Sequence, residues 1–179
     1  MEPAPETVQN FYEVLLAVMK DAKKLGIRGR YDKLAPAVQT LFDLPAMTRI
    51  AVGPTWTSMT PEQQAALIDS FTHMTVATYA NRFDGYGGER FEVEPTTTAQ
   101  GSNRVVRTRL IESSGKATTL NYLTRESRGH WKALDVYLSG TVSELAARRS
   151  EFGAVLKSGG PDALVNTLRR RGENLLKTG

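Results

Sequence analysis

The sequence predicts an α+β domain in which helices cover one face of a twisted antiparallel sheet of about four strands. Three observations carry that expectation. Apolar residues recur with helical period from about residue 7 to 83, β-branched and alternating runs separated by short turns fill about 89–138, and helical periodicity returns over about 141–177. At 179 residues the chain fits one domain, residues 1–179, since domains run to roughly 100–200 residues. That length can bury a core without disulfide or metal staples.

In the first stretch, Thr7 is placed to cap a helix in which Val8, Phe11, Val14, Leu15, Val18 and Met19 recur until Gly26. A second helix from about Arg30 carries Tyr31, Leu34, Val38, Leu41 and Phe42; Pro36 inside it delays its start or bends it. A short third piece, Ala46 to Val52, ends at Gly53-Pro54. The clearest start is Thr60-Pro61-Glu62-Gln63, with a cap, a first-turn proline and a capping-box partner in order. That helix runs through Leu67, Ile68, Phe71, Met74, Val76 and Tyr79 to about Phe83, ~35 Å at ~1.5 Å per residue. Gly85, Gly87 and Gly88 end it.

The strands follow as Phe91–Glu94, Val105–Ile111, Thr118–Leu123 and Trp131–Leu138, with turns at Ser113-Ser114-Gly115 and Ser127-Arg128-Gly129. That spacing describes an antiparallel meander. One last helix is expected from about Val142 to Lys157 and another from Pro161 to about Lys177, divided at Gly159-Gly160.

Composition removes several classes of function. Hydrophobic residues at 40% and charged residues at 23% describe a folded protein. With no cysteine there is no disulfide, thiolate metal site or cysteine nucleophile, and only His73 and His130 remain as imidazoles. A net charge of +4 attracts anionic partners without choosing among them. No stretch approaches the ~20 apolar residues of a membrane span, so the chain reads as soluble. Met1 is followed by Glu2, Pro3 and Ala4 rather than by a secretory signal, as also holds after a leader has been removed.

Candidate chemistry is sparse. Gly85-Tyr86-Gly87-Gly88 follows a helix, precedes a strand and lacks Gly-Lys-Ser/Thr, so it reads as a turn rather than a phosphate loop. His73 has Asp69 and Ala77 four residues away, which is not a helical zinc pattern. His130 opens a strand beside Trp131 and reads as a surface residue. Asp135 lies in the otherwise apolar run Ala133–Leu138 and must be paired if buried. An ion pair with Arg104, Arg107 or Arg109 is the structural reading; a general base is the sharper one. Arg148-Arg149 and Arg169-Arg170-Arg171 are short basic runs on helices, suited to a solvated face, anionic headgroups or an acidic partner. Nucleic acid is not an expected partner, because interleaved aromatics are missing. Phe11, Phe42, Met47, Ile50, Trp56, Phe71, Met74 and Tyr79 are large groups for one helical layer. They either fill a core or line an apolar cavity of the ~300–1,000 Å³ ligand class.

The order Thr60-Pro61-Glu62-Gln63, a helix with Phe71 and Tyr79, then Arg82-Phe83-Asp84-Gly85-Tyr86 resembles the MlaC-type periplasmic phospholipid-binding proteins, the toluene-tolerance family. So do Trp131-Lys132-Ala133-Leu134-Asp135-Val136, Arg149-Ser150-Glu151-Phe152, Gly159-Gly160 and a last helix with Leu164 and Leu168. Asp135 through Gly140 leading into Ser143 through Phe152 looks closest to the hopanoid-associated HpnM branch. The common family form has a tyrosine where this chain has Ala147 and Arg148. The resemblance implies a helical layer over a strongly twisted sheet (an NTF2-like cone) with an apolar internal cavity for lipid tails. It also implies a monomeric periplasmic carrier of phospholipid or hopanoid that docks to inner-membrane and outer-membrane transport complexes, with no cofactor, metal or catalytic residue.

Two other readings remain beside it: a partner-binding adaptor with a solid core, and an enzyme using Asp135 and His130. For a pocket lining, the helices offer Met47, Ile50, Trp56, Leu67, Phe71 and Met74. One face of the strands adds Val106, Leu110, Leu120 and Tyr122, because alternate residues share a face. A one-residue register slip would exchange that strand set for its opposite.

Overall fold

The computed structural model describes residues 1–177. Helices α1 (Pro3–Lys20), α2 (Ala22–Leu41), α3 (Leu44–Val52) and α4 (Pro61–Arg82) come first, with a 3-10 turn at Pro54–Ser58 before α4. Helix α1 starts ahead of the expected cap: Thr7 lies inside it and its hydroxyl donates to the Pro3 carbonyl at 3.1 Å. Pro3 suits a first helical turn, and Glu2 ties that turn down by accepting from the Thr97 N–H and hydroxyl. Helix α2 spans the expected gap between two helices, because the break at Gly26 (φ 66°, ψ 175°) is a kink rather than a loop. A positive φ of this kind suits glycine.

Arg30, buried beyond that kink, donates from Nε to the Ala80 carbonyl at 2.9 Å and from Nη1 to the Ala22 carbonyl at 3.0 Å. It thus sets a cation on a last-turn carbonyl of α4, where the helix end is negative. The α4 start is the expected capping box: Thr60 Oγ1 accepts from the Gln63 N–H and Gln63 Oε1 from the Thr60 N–H.

The sheet contains β1 (Arg90–Val93), β2 (Thr98–Gln100), β3 (Asn103–Ile111), β4 (Ala117–Ser127), β5 (His130–Leu138) and β6 (Val142–Ser143), antiparallel in the order β1–β3–β4–β5–β6, with β2 also on β3. Six strands rather than about four are present among the described residues. The extra two are three and two residues long, too short for alternation to mark them. One of them takes Val142, which the sequence pattern assigned to a helix.

Val106 opposes Tyr122, Thr108 opposes Leu120, and these oppose Val136 and Leu138 in turn, while Phe91 opposes Leu110. This set faces the helices. On the other face Arg109 pairs with Glu92 and Arg107 with Glu94. A register shift between Leu123 and Thr124 places Asp135 opposite Leu123 but Ala133 opposite Thr124, so Leu134 is the extra residue of a bulge. Ala133 through Val136 are consequently all buried.

Helix α5 (Glu144–Lys177) leaves helical geometry at Gly160 (φ 75°, ψ −172°), at the expected division. Glu151 and Arg171 are 2.6 Å apart across that kink. Twenty residues of straight helix would span ~30 Å, so the two segments fold back on each other. The first segment meets α4 through an edge-to-face contact of Phe71 with Phe152, ring centroids 5.7 Å apart.

Candidate functional site

Helix α4 is buried on several sides, and one stripe of it faces the sheet across a gap. Phe71, Thr75, Thr78, Tyr79 and Arg82 make that stripe, and steps of three and four residues keep it on one side of a helix. Tyr12 and Leu15 of α1, Phe42 at the end of α2 and Met47 of α3 close one wall. Phe91, Leu120, Tyr122, Val136 and Leu138 form the sheet floor, and Phe83, Glu144, Leu145 and Arg148 complete the rim. The result is a partly open apolar cleft of about 110 Å³, below the ~300–1,000 Å³ of drug-sized ligand sites.

Aromatic contacts shape the walls. Tyr12 stacks on Phe91 with centroids 4.2 Å apart, Tyr79 stacks on Phe83 at 5.8 Å, and Phe11 meets Tyr79 edge-on at 5.6 Å. Below them runs a hydrogen-bonded chain. The Thr108 hydroxyl donates to the Leu120 carbonyl at 2.7 Å. Because a hydroxyl has one proton, Tyr12 must donate to Thr108 at 2.7 Å and Tyr122 to Tyr12 at 2.8 Å. Burial pushes the Tyr12 phenol up to about 12 and the Tyr122 phenol well above its ordinary value. Both therefore stay neutral, and neither has a proton left to give. Burial raises the Tyr79 phenol as well.

Asp135 lies under the rim rather than in the cleft. Its carboxylate accepts from the Val136 N–H at 2.7 Å, the Leu145 N–H at 2.9 Å and the Ser143 hydroxyl. The Ser143 oxygen in turn accepts from the Ala146 N–H at 3.0 Å. Asp135 thus anchors the first turn of α5, a favourable place for an anion. Of the expected partners, Arg107 and Arg109 are instead taken by Glu94 and Glu92 on the outer face, and Arg104 is exposed. The bulge aims Asp135 at α5, and no sequence pattern reveals a bulge of this kind. His130 is exposed at the other end of β5, five residues and roughly 16 Å away at ~3.3 Å per residue. The acid/base pair considered for an enzyme is not assembled.

At the rim, Arg148 is held between Glu144 at 3.7 Å and Glu151 at 3.1 Å, and Glu151 continues to Arg171. His73 belongs to a different, more open groove, with Nδ1 2.8 Å from the Tyr31 hydroxyl and Nε2 3.1 Å from Glu173. Among the described residues, no cluster of three His, Asp or Glu is arranged to hold a metal.

Of the residues singled out from sequence, Met47, Phe71, Leu120 and Tyr122 line the cleft. Leu67, Met74 and Val106 are buried in packed core outside its lining, and Ile50, Trp56 and Leu110 are half-buried and also outside it. Ile50 sits on α3 and Trp56 in the 3-10 turn, while Leu110 lies opposite Phe91, which takes the place at the cleft floor. The strand set does share the helix-facing side. Sequence reasoning did not select Thr75, Thr78 and Arg82, although the stripe from Phe71 at helical spacing leads to them. Leu138 was likewise within reach, as the inward cross-strand partner of Leu120.

Among solved structures, the chain is similar to the phospholipid-binding protein from Ralstonia solanacearum in complex with a phospholipid. The two share 26% sequence identity over 97% of this chain and 99% of that one, with a TM-score of 0.83. No curated protein matches the sequence. The model of the MlaC protein family matches residues 9–170, a span that takes in every element lining the cleft. The chain therefore belongs to the MlaC family.

Proposed function

We propose that the protein is a periplasmic lipid carrier that holds acyl tails in the cleft between α4, α5 and the sheet and passes the lipid between inner-membrane and outer-membrane complexes. The apolar cleft carries this reading: Leu15, Phe42, Met47, Phe71, Leu120 and Leu138 converge on one partly open space. The likeness to a protein solved with a phospholipid supports it. At about 110 Å³ the cleft is below the usual size of a ligand site, so holding a tail requires α4 and α5 to move off the sheet. Transfer of ten methylenes from water contributes about 8 kcal/mol at ~0.8 kcal/mol each, which offsets a substantial opening cost. Binding and release of this kind need no covalent chemistry and no cofactor, and the carrier works as a monomer.

A hopanoid cargo is the second reading. It rests on Arg148, which stands at the cleft rim next to Ala147, where the common family form carries a tyrosine.

The test is extraction of the purified chain with organic solvent, mass spectrometry of the extract, and uptake of labelled lipid from liposomes. Stoichiometric phospholipid or hopanoid is the expected result. A clean extract together with no uptake would leave the partner-binding adaptor as the better reading.

A further inference from the structure

The cleft presents a donor inventory that acyl tails do not use. Tyr12 and Tyr122 spend their protons in the chain that ends on the Leu120 carbonyl. Thr75 and Thr78 donate to the Phe71 and Met74 carbonyls, each at 2.8 Å. Tyr79 is different: it faces the cleft, is half-buried, and its hydroxyl meets no hydrogen-bond partner among the described residues.

Three residues further on the same stripe is Arg82, exposed on the rim and without a carboxylate partner among the described residues. The other rim arginine, Arg148, is already clamped by Glu144 and Glu151. Glu144 is therefore matched locally, and Arg30 offsets the negative end of α4 at the Ala80 carbonyl. One uncommitted O–H donor inside and one uncommitted guanidinium outside are separated by ~4.5 Å of helix rise. In a glycerophospholipid the ester carbonyls and the phosphate are a comparable few ångströms apart, joined by the glycerol carbons.

We propose that the last turn of α4 reads the glycerophosphate portion of the cargo, with the Tyr79 hydroxyl donating to an ester carbonyl at the cleft mouth and Arg82 pairing with the phosphate. This rests on the carrier reading and assigns it two specificity-determining residues, which favour ester-linked, phosphate-bearing lipids over neutral or carbonyl-free ones. Guanidinium–phosphate hydrogen bonds are charge-assisted and geometrically specific, so the phosphate carries the larger share of the discrimination.

The experiment loads the delipidated full chain from phosphatidylcholine vesicles containing, in turn, dioleoylphosphatidylglycerol, its ether-linked analogue, or dioleoylglycerol, and measures each lipid captured. The expected order has phosphatidylglycerol about tenfold above dioleoylglycerol and about threefold above the ether lipid, steps that correspond to about 1.4 and 0.7 kcal/mol. Arg82→Gln should bring phosphatidylglycerol down towards dioleoylglycerol, Arg82→Lys should restore part of the gap, and Tyr79→Phe should erase only the ester–ether difference. Equal capture of all three lipids by the unmodified chain would overturn the proposal, as would variants that lower every lipid by the same factor. Capture of none would instead overturn the carrier reading on which it stands.

Discussion

Two sides of α4 meet neighbours of opposite kinds. Towards α5 and α2 the helix is packed solid: Val76, Ala77 and Ala80 are fully buried, as are Leu164 and Leu168 of α5. Towards the sheet the same helix presents Thr75, Thr78, Tyr79 and Arg82 to a gap. The solid side fixes where α4 sits. The sheet side leaves apolar surface without protein to cover it, and that uncovered surface is what a lipid tail can use. The difference predicts that stability and lipid binding respond to different residues of one helix pair.

The largest effect is expected on the solid side. Leu168→Ala removes a fully buried side chain and should cost about 3 kcal/mol, within the ~2–5 kcal/mol range for such truncations. Chemical denaturation of the lipid-free chain measures it, and a loss below about 1 kcal/mol would show that the solid side is not solid. Arg30→Ala comes next, at about 2–3 kcal/mol, because two buried carbonyls lose a charged donor.

The third effect is alkaline. The Tyr12 phenol is raised from 10.0 to about 12, so the folded state favours its neutral form. This stabilisation is complete below about pH 10 and is lost as pH rises through about 12, a change of about 2–3 kcal/mol at 1.36 kcal/mol per unit. Tyr122 and Tyr79 are raised in the same direction and steepen the same limb. Denaturation from pH 8 to 12 should show a plateau and then a fall, and Tyr12→Phe should flatten part of the fall. An unchanged limb in that variant would remove Tyr12 from the account.

On the cleft side the stability effects shrink. Leu138→Ala, half-buried at the sheet floor, should cost about 1 kcal/mol while altering lipid capture more than Leu168→Ala does. If Leu138→Ala costs as much as Leu168→Ala, the two sides of α4 are not distinct. The smallest effect belongs to Glu173, half-exposed beside His73 and Arg28: Glu173→Gln should shift stability by less than about 1 kcal/mol.

The same comparison explains what could be read from sequence. Helical period showed that Leu67, Phe71 and Met74 point inward, but a helix buried on several sides has more than one inside. Phe71 lines the cleft, whereas Met74 is packed on another side and Leu67, one turn before Phe71 on the same stripe, is buried beyond the end of the cleft. Strand alternation brought Val106, Leu110, Leu120 and Tyr122 to the helix-facing side, because the meander keeps its register from β3 into β4. Asp135 went astray because the bulge at Leu134 redirects it, and a bulge leaves no mark in a pattern of period two. Of the Tyr12–Thr108–Tyr122 chain, sequence reasoning marked only Tyr122, since contacts spanning 96 and 110 residues have no local signature.

The central claim is that acyl tails occupy the gap between α4 and the sheet. Intermolecular nuclear Overhauser contacts from a phospholipid with carbon-13-labelled tails to the methyl groups of the full chain test it most directly. The predicted result is contact with Leu15, Met47, Leu120 and Leu138, together with silence from Leu67, Leu164 and Leu168. Contacts confined to residues outside the cleft, or shared equally by both sides of α4, would contradict it.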